Sequence, residues 1–231
     1  MTKAGTHVLR SAFVSFLVFG AMTAATLAGD LSKYRGVQLG TDLPTVARQV
    51  DASSTQAKVI HSRPALIQEL EWSPRPLGPT SRTESVKEVA FSFYNGELFR
   101  IAITYDSYET EGMTVNDFVK GISATYGTAE MPAVADKSAQ RGSGAPEEVL
   151  ARWQDPQYRF DLIRAAYGPG FRLIGVLKRL ETPARAAITE ATRLDEQEAP
   201  QRDAARIVSE KEVERARLEK ARLVNTPNFR P

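Results

Sequence analysis

The stretch "FSFYNGELFRIAITYD", Phe91 to Asp106, limits the fold more than any other part of the chain. Phe91, Phe93, Phe99, Ile101, Ile103 and Tyr105 all fall at odd positions. Alternation with a period of two gives a strand one apolar face and one wetter face. Asn95-Gly96 marks a turn between two such strands. With a two-residue loop, Phe91 would stand opposite Arg100, and the apolar sets of the two strands would lie on opposite faces of the sheet. A three-residue loop, Tyr94-Asn95-Gly96 with Gly96 left-handed, pairs Phe91 with Phe99 and Val89 with Ile101. The expectation is therefore a bulged hairpin with Phe91, Phe93, Phe99 and Ile101 buried. Ser92 and Arg100 lie on its opposite face.

A helix-and-strand grammar surrounds this hairpin and occurs twice. In "GTDLPTVARQV", Asp42 can cap a helix, Pro44 suits its first turn, and Leu43, Val46, Ala47 and Val50 share one face. In "EGMTVNDFVKGISATYG", Thr114 caps, Val115, Phe118, Val119 and Ile122 make the face, and Gly127 follows the end. Each helix is followed by a strand ending near a tryptophan and a proline, "LIQELEWSP" and "VLARWQDP". The hairpin follows the first of these. "QYRFDLIR" and "FRLIGVLKR", separated by "AAYGPG", follow the second. The fold class expected is α+β: two helix–strand–strand–strand repeats with antiparallel sheet, over residues 29–110 and 111–181. Two segments rich in Pro, Ser and Gly, 73–85 and 127–148, read as long loops.

The remainder is a charged arm. Thr182-Pro183 opens a helix with Ala184, Ala187, Ile188, Ala191 and Leu194 at helical spacing, and Pro200 breaks or kinks it. Residues 181–231 carry ten basic and ten acidic side chains, the balance of a solvated helix. A coiled-coil partner helix is the alternative, although Ile207, Val208, Val213, Leu218 and Leu223 make a sparse heptad seam. The arm is expected over 182–224, and a disordered or docking segment over 225–231.

At the other end, Lys3 and Arg10 precede an apolar run that finishes in small residues, "SAFVSFLVFGAMTAATLAGD". This is the order of a secretory signal peptide, here 1–28, with an uncleaved anchor as the alternative. The chain has no cysteine, which rules out thiol catalysis, thiolate metal sites and disulfides, so stability must come from packing. Net charge is +2, from 30 basic and 28 acidic residues, and removing Lys3 and Arg10 leaves it neutral. Nucleic-acid binding needs a basic stripe, and none is evident.

Catalytic patterns are as sparse. Beyond the leader there is one histidine, His61, beside Ser62, and neighbours along a strand point to opposite faces. No nucleophile elbow, phosphate loop, dinucleotide fingerprint or zincin motif occurs. Asp106, Glu109 and Glu111 do not have the spacing of a calcium loop. No catalytic, cofactor-binding or metal residue is assigned, and no cofactor. Aromatics at strand ends and turns are better candidates, because exposed Trp and Tyr anchor protein interfaces. The candidate interface residues are Trp72, Tyr94, Arg100, Tyr108, Trp153, Tyr167 and Phe229.

The cap-plus-helix followed by antiparallel strands, carried by "GTDLPTV" and "GMTVNDF" and the strands after them over roughly 36–180, resembles the β-lactamase-inhibitor-like fold. It also resembles small outer-membrane assembly lipoproteins. The absence of a lipidation cysteine and of disulfides, and the long charged tail, depart from those families. The resemblance implies protein binding through a sheet. The expected protein is exported, periplasmic or extracellular, without a membrane span once the leader is gone. It is expected to be non-enzymatic, a protein-interaction or envelope-associated module whose partner is another protein. A small-ligand or inhibitor-type binding protein using the sheet, and a hydrolase with dispersed carboxylates, are the alternatives.

Overall fold

The computed structural model of the chain describes residues 29–74, 85–132, 148–164, 170–228 and 230. The proposed leader, most of both long loops, and Tyr167 and Phe229 lie outside the described residues. The elements are β1 (Lys33–Tyr34), β2 (Val37–Gln38), α1 (Leu43–Gln49), β3 (Lys58–His61), β4 (Ile67–Trp72), β5 (Val86–Tyr94), β6 (Glu97–Tyr105), α2 (Val115–Tyr126), β7 (Glu148–Gln154), β8 (Tyr158–Arg164), β9 (Phe171–Leu177) and α3 (Lys178–Asn225). The fold is α+β. β1 and β2 form a small ribbon, and the other strands form one seven-stranded sheet in the order β3-β4-β5-β6-β9-β8-β7, antiparallel throughout.

The helix signals act as read. Asp42 accepts from the Thr45 amide at 2.8 Å to start α1. Thr114 and Asp117 form a reciprocal capping box at α2, and Gly127 closes it at φ 85°. α1 and α2 lie on one face of the sheet. Leu43, Val46 and Ala47 of α1 and Phe118, Ile122 and Tyr126 of α2 share a core with Leu70, Val89, Phe91, Phe93, Leu98, Ile101, Trp153, Phe160 and Leu173. The β1–β2 ribbon, which sequence reading missed, adds Val37 to this core. Its turn is Arg35-Gly36, both at positive φ.

The hairpin corrects the expected register. Tyr94 stands opposite Glu97 and Phe93 opposite Leu98, so the loop has two residues, Asn95 (φ 49°) and Gly96 (φ 84°). Such a turn matches the natural twist of paired strands. The frame shift that the faces demand is made inside β6. Phe99 has no cross-strand partner, and beyond it Ser92 pairs with Arg100, Phe91 with Ile101 and Val89 with Ile103. The bulge lies in the strand and not in the turn. All four apolar residues are buried, but Phe99 stands apart from the α1–α2 core, and Ser92 is buried too.

Helix then antiparallel strands occurs in both halves, with four strands after α1 and three after α2. The extra strand is the short edge strand β3. Trp72 is the last residue of β4 and half-buried, whereas Trp153 is fully buried one residue before the end of β7. β9 sits tight on β8: a Cβ on Gly175 would lie 2.4 Å from the Phe160 ring. That ring is stacked on Tyr126, centroids 4.5 Å apart.

The tail differs from expectation at its start and at Pro200. α3 begins at Lys178, directly from β9, and runs as one helix of 48 residues with both Pro183 and Pro200 inside it. Thr182-Pro183 is therefore not its start, and the helix is not broken at Pro200. Strong helix formers on both sides propagate the helix across a residue that removes one internal hydrogen bond. Asn225 belongs to the helix, and Thr226–Asn228 form a turn of 3-10 helix. Among the described residues no helix is long and apolar enough to cross a membrane.

Candidate interaction surface

α3 lies on the sheet face opposite α1 and α2, over β6 and β9. Its contact side is made of small residues: Ala184, Ala187 and Ala191 are buried at helical spacing. On the sheet, Ile67, Phe99, Ala102, Ile174 and Val176 are buried outside the α1–α2 core.

Ion pairs fix both ends of this contact. On the second strand of the sheet's far half, Asp161 is buried and held by two arginines. Arg152 Nε donates to its Oδ1 at 2.6 Å, and Arg159 Nε to its Oδ2 at 2.8 Å. Arg159 Nη2 then donates to Glu181 Oε1 in α3 at 2.6 Å, and Arg185 Nη2 joins the same oxygen at 2.8 Å. Burial opposes the charge on Arg159, but its hydrogen bond to Glu181 and the field of Asp161 outweigh it. The guanidinium is held above its ordinary range. Lys178 Nζ donates to the Asp155 carbonyl at 2.6 Å, and Arg179 pairs with Glu97 beside the hairpin turn.

At the other end, Asp195 Oδ2 lies 3.8 Å from His61 Nδ1 on β3, and Glu198 pairs with Arg63. The Arg63 guanidinium holds the Glu198 carboxyl below the usual carboxylate range. From Glu181 to Asp195 the helix rises about 21 Å, close to the roughly 24 Å that five strand spacings cover from β8 to β3. α3 therefore crosses the sheet and leaves it at the β3 edge.

Beyond that edge none of the described residues covers the helix. Every residue from Pro200 to Asn228 is exposed, so about 39 Å of helix, Pro200–Asn225, projects as an arm. Ile207, Val208, Val213, Leu218, Leu223 and Val224 lie between 46 % and 67 % exposed along it. Ion pairs on its surface, Arg206 with Asp203 and Glu210, and Arg217 with Glu214, brace it at three- and four-residue spacing. The β3 edge below carries two further exposed aliphatics, Val59 and Ile60.

Those residues singled out from sequence that are described are not brought together. Trp153 is core: its Nε1 donates to the Gly127 carbonyl at 3.0 Å and to Ser123 Oγ at 3.2 Å. Trp72 packs against the same core from the end of β4. Tyr94 and Arg100 are half-buried on the hairpin. Tyr108 is 85 % exposed in the loop after β6. Tyr167 and Phe229 lie outside the described residues. Sequence reading missed the Arg152–Asp161–Arg159–Glu181 network. Its signal was present in "QYRFDLIR", where Arg159 and Asp161 alternate with the core residues Phe160 and Leu162.

An open cleft of about 620 Å³ lies at the turn end, lined among others by Asp42, Gln68, Asn95 and Glu97. Three of these already serve the fold: Asp42 caps α1, Asn95 Oδ1 accepts from the Leu66 amide, and Glu97 pairs with Arg179. Among the described residues no group of three or more His, Asp or Glu side chains is placed to hold a metal ion. No family model, no curated protein and no solved structure matches the chain.

Proposed function

We propose that this chain is an exported, non-catalytic protein that binds another protein, and that the Pro200–Asn225 arm is the surface it uses. One observation carries the reading. A helix of 48 residues is bolted to the sheet over its first half and projects over its second, with aliphatic side chains exposed among charges. A helix of that exposure gains nothing for the fold, and exposed aliphatics on a rigid element suit recognition by a groove or another helix. Export is supported by the charged, apolar, small-residue order of the first 28 residues. A non-catalytic role is supported by how the titratable groups are used. Asp161 and Glu181 are taken up by arginines, and His61 faces Asp195 where the helix leaves the sheet.

The test is capture from the exporting cell with the protein lacking its leader, whole and with residues 200–231 removed. The whole protein should retain a discrete partner and the shortened one should lose it. Equal retention by both would move the site to the body, where the cleft at Asp42 and Glu97 becomes the place for a small ligand.

A further inference from the structure

Ala204, Ile207, Lys211, Glu214, Leu218 and Ala221 succeed one another at alternating spacings of three and four along the arm. They line one side of the helix, and all of them are exposed. The aliphatics alone make no seam, but this row is self-complementary when read against itself in reverse. Ala204 then meets Ala221, Ile207 meets Leu218, and Lys211 meets Glu214. Every contact occurs twice about a two-fold axis between Glu212 and Val213. On the flank the same alignment sets Glu210 beside Arg217 of the second copy.

We propose that the arm's occupant is a second copy of this chain, bound as an antiparallel two-helix coiled coil in this register. The inference rests on the reading of the arm as a protein-binding surface and names its partner. Charge decides the orientation. A parallel pair in register would stack Lys211 on Lys211 and Glu214 on Glu214, whereas the antiparallel pair sets each against its opposite. Length agrees. Among the described residues the last tie of α3 to its own body is Glu198 with Arg63, and exposure begins at Pro200. The register places Asn225, the last residue of α3, opposite Pro200 of the second copy. The two helical arms thus overlap along their whole projecting length, Pro200–Asn225. A lysine and a glutamate in the seam weaken the pair while fixing its register, so the dimer should be reversible and concentration-dependent.

The experiment uses the protein without its leader in sedimentation velocity over a wide concentration range. Wild type should shift from monomer to dimer. K211E and E214K should each weaken self-association by roughly tenfold or more, since each turns two attractive contacts into repulsive ones. K211E/E214K should restore it, because the opposite charges meet again. The cysteine-free chain allows a second measurement: I207C mixed with L218C should form an oxidised dimer, and I207C alone should not. Circular dichroism of each variant checks that the arm remains helical. A monomer at every concentration, single reversals without effect, or crosslinking of I207C with itself would overturn the proposal. If the chain is monomeric yet captures a different protein only when the arm is present, self-pairing falls and the protein-binding reading stands. If arm-dependent capture is lost as well, both fall.

Discussion

Arg159 joins the sheet to the helix that leaves it: its Nε holds the buried Asp161 at 2.8 Å while its Nη2 holds Glu181 of α3 at 2.6 Å. Removing Arg159 leaves Asp161 with Arg152 alone and Glu181 with Arg185 alone. Breaking a buried pair from one side costs about 3–5 kcal/mol, and the remaining arginine should keep this case near the lower end. Arg159→Met should therefore lower the stability measured by urea unfolding by about 3 kcal/mol. Glu181→Gln, which keeps one acceptor oxygen, should lose less.

Gly175 and Phe160 test the packing of the far half of the sheet. A Cβ at 175 meets the Phe160 ring at 2.4 Å, inside a ring stack with Tyr126. Overpacking of this kind costs roughly 1–3 kcal/mol. Gly175→Ala should be destabilised accordingly, and Phe160→Leu should cost much less in its presence than alone. Thermal unfolding of the two single variants and the double variant gives the coupling.

Phe99 tests the bulge. Since the pairing on either side of it is regular, deleting Phe99 should preserve the opposition of Phe93 to Leu98 and of Phe91 to Ile101. The loss should be that of one buried phenylalanine, about 3–5 kcal/mol as for Phe99→Ala. Cross-strand amide contacts by NMR would show the register. A shift of Ile101 to another partner would mean that the bulge residue itself sets the alignment.

Acid should weaken the body. Hydrogen bonds from Lys33 and Ser32 bring the Asp30 carboxyl down to about 2. Hydrogen bonds from Thr45 and Thr114 likewise hold Asp42 and Asp117 below their ordinary range. A carboxyl whose pKa is depressed in the folded state contributes stability above its unfolded value, near 4, and loses it as pH falls through the folded value. Stability by urea titration should therefore be flat above about pH 5 and fall below about pH 4. Asp30→Asn should remove part of that acid slope between about pH 4 and about pH 2.

The two parts of α3 should behave differently. A chain ending at residue 199 loses only exposed residues among those described, so at concentrations where the whole protein is monomeric the two melting temperatures should match while helical ellipticity falls. A chain ending at Leu177 uncovers Phe99, Ala102 and Val176 and loses the Glu181 pairs, and it should aggregate or melt far lower.

Much of the fold was legible because local signals and burial agreed. Asp42 and Thr114 cap where their sequences say, and the alternation about Asn95-Gly96 marks two buried strands. The register was not legible, because a turn bulge and a strand bulge satisfy the same alternation, and only twist favours the second. Pro200 read as a break because proline cost is local, whereas the helix formers flanking it act over the whole element. The candidate surface was the least visible. Trp153 was singled out for its chemistry and turned out to be core, since exposure is a property of the assembled sheet. The arm's exposure depends on where α3 leaves β3, a tertiary fact set by His61, Arg63, Asp195 and Glu198.

The central claim is that the arm is the working surface. A photoreactive amino acid placed at Leu218, compared with the same group at Tyr108, tests it in the cell. Both side chains are exposed, 60 % and 85 %, but only Leu218 belongs to the arm. Irradiation should give a discrete protein adduct from position 218, of twice the chain's own mass if the partner is a second copy, and none from position 108. An adduct from 108 with none from 218 would contradict the account.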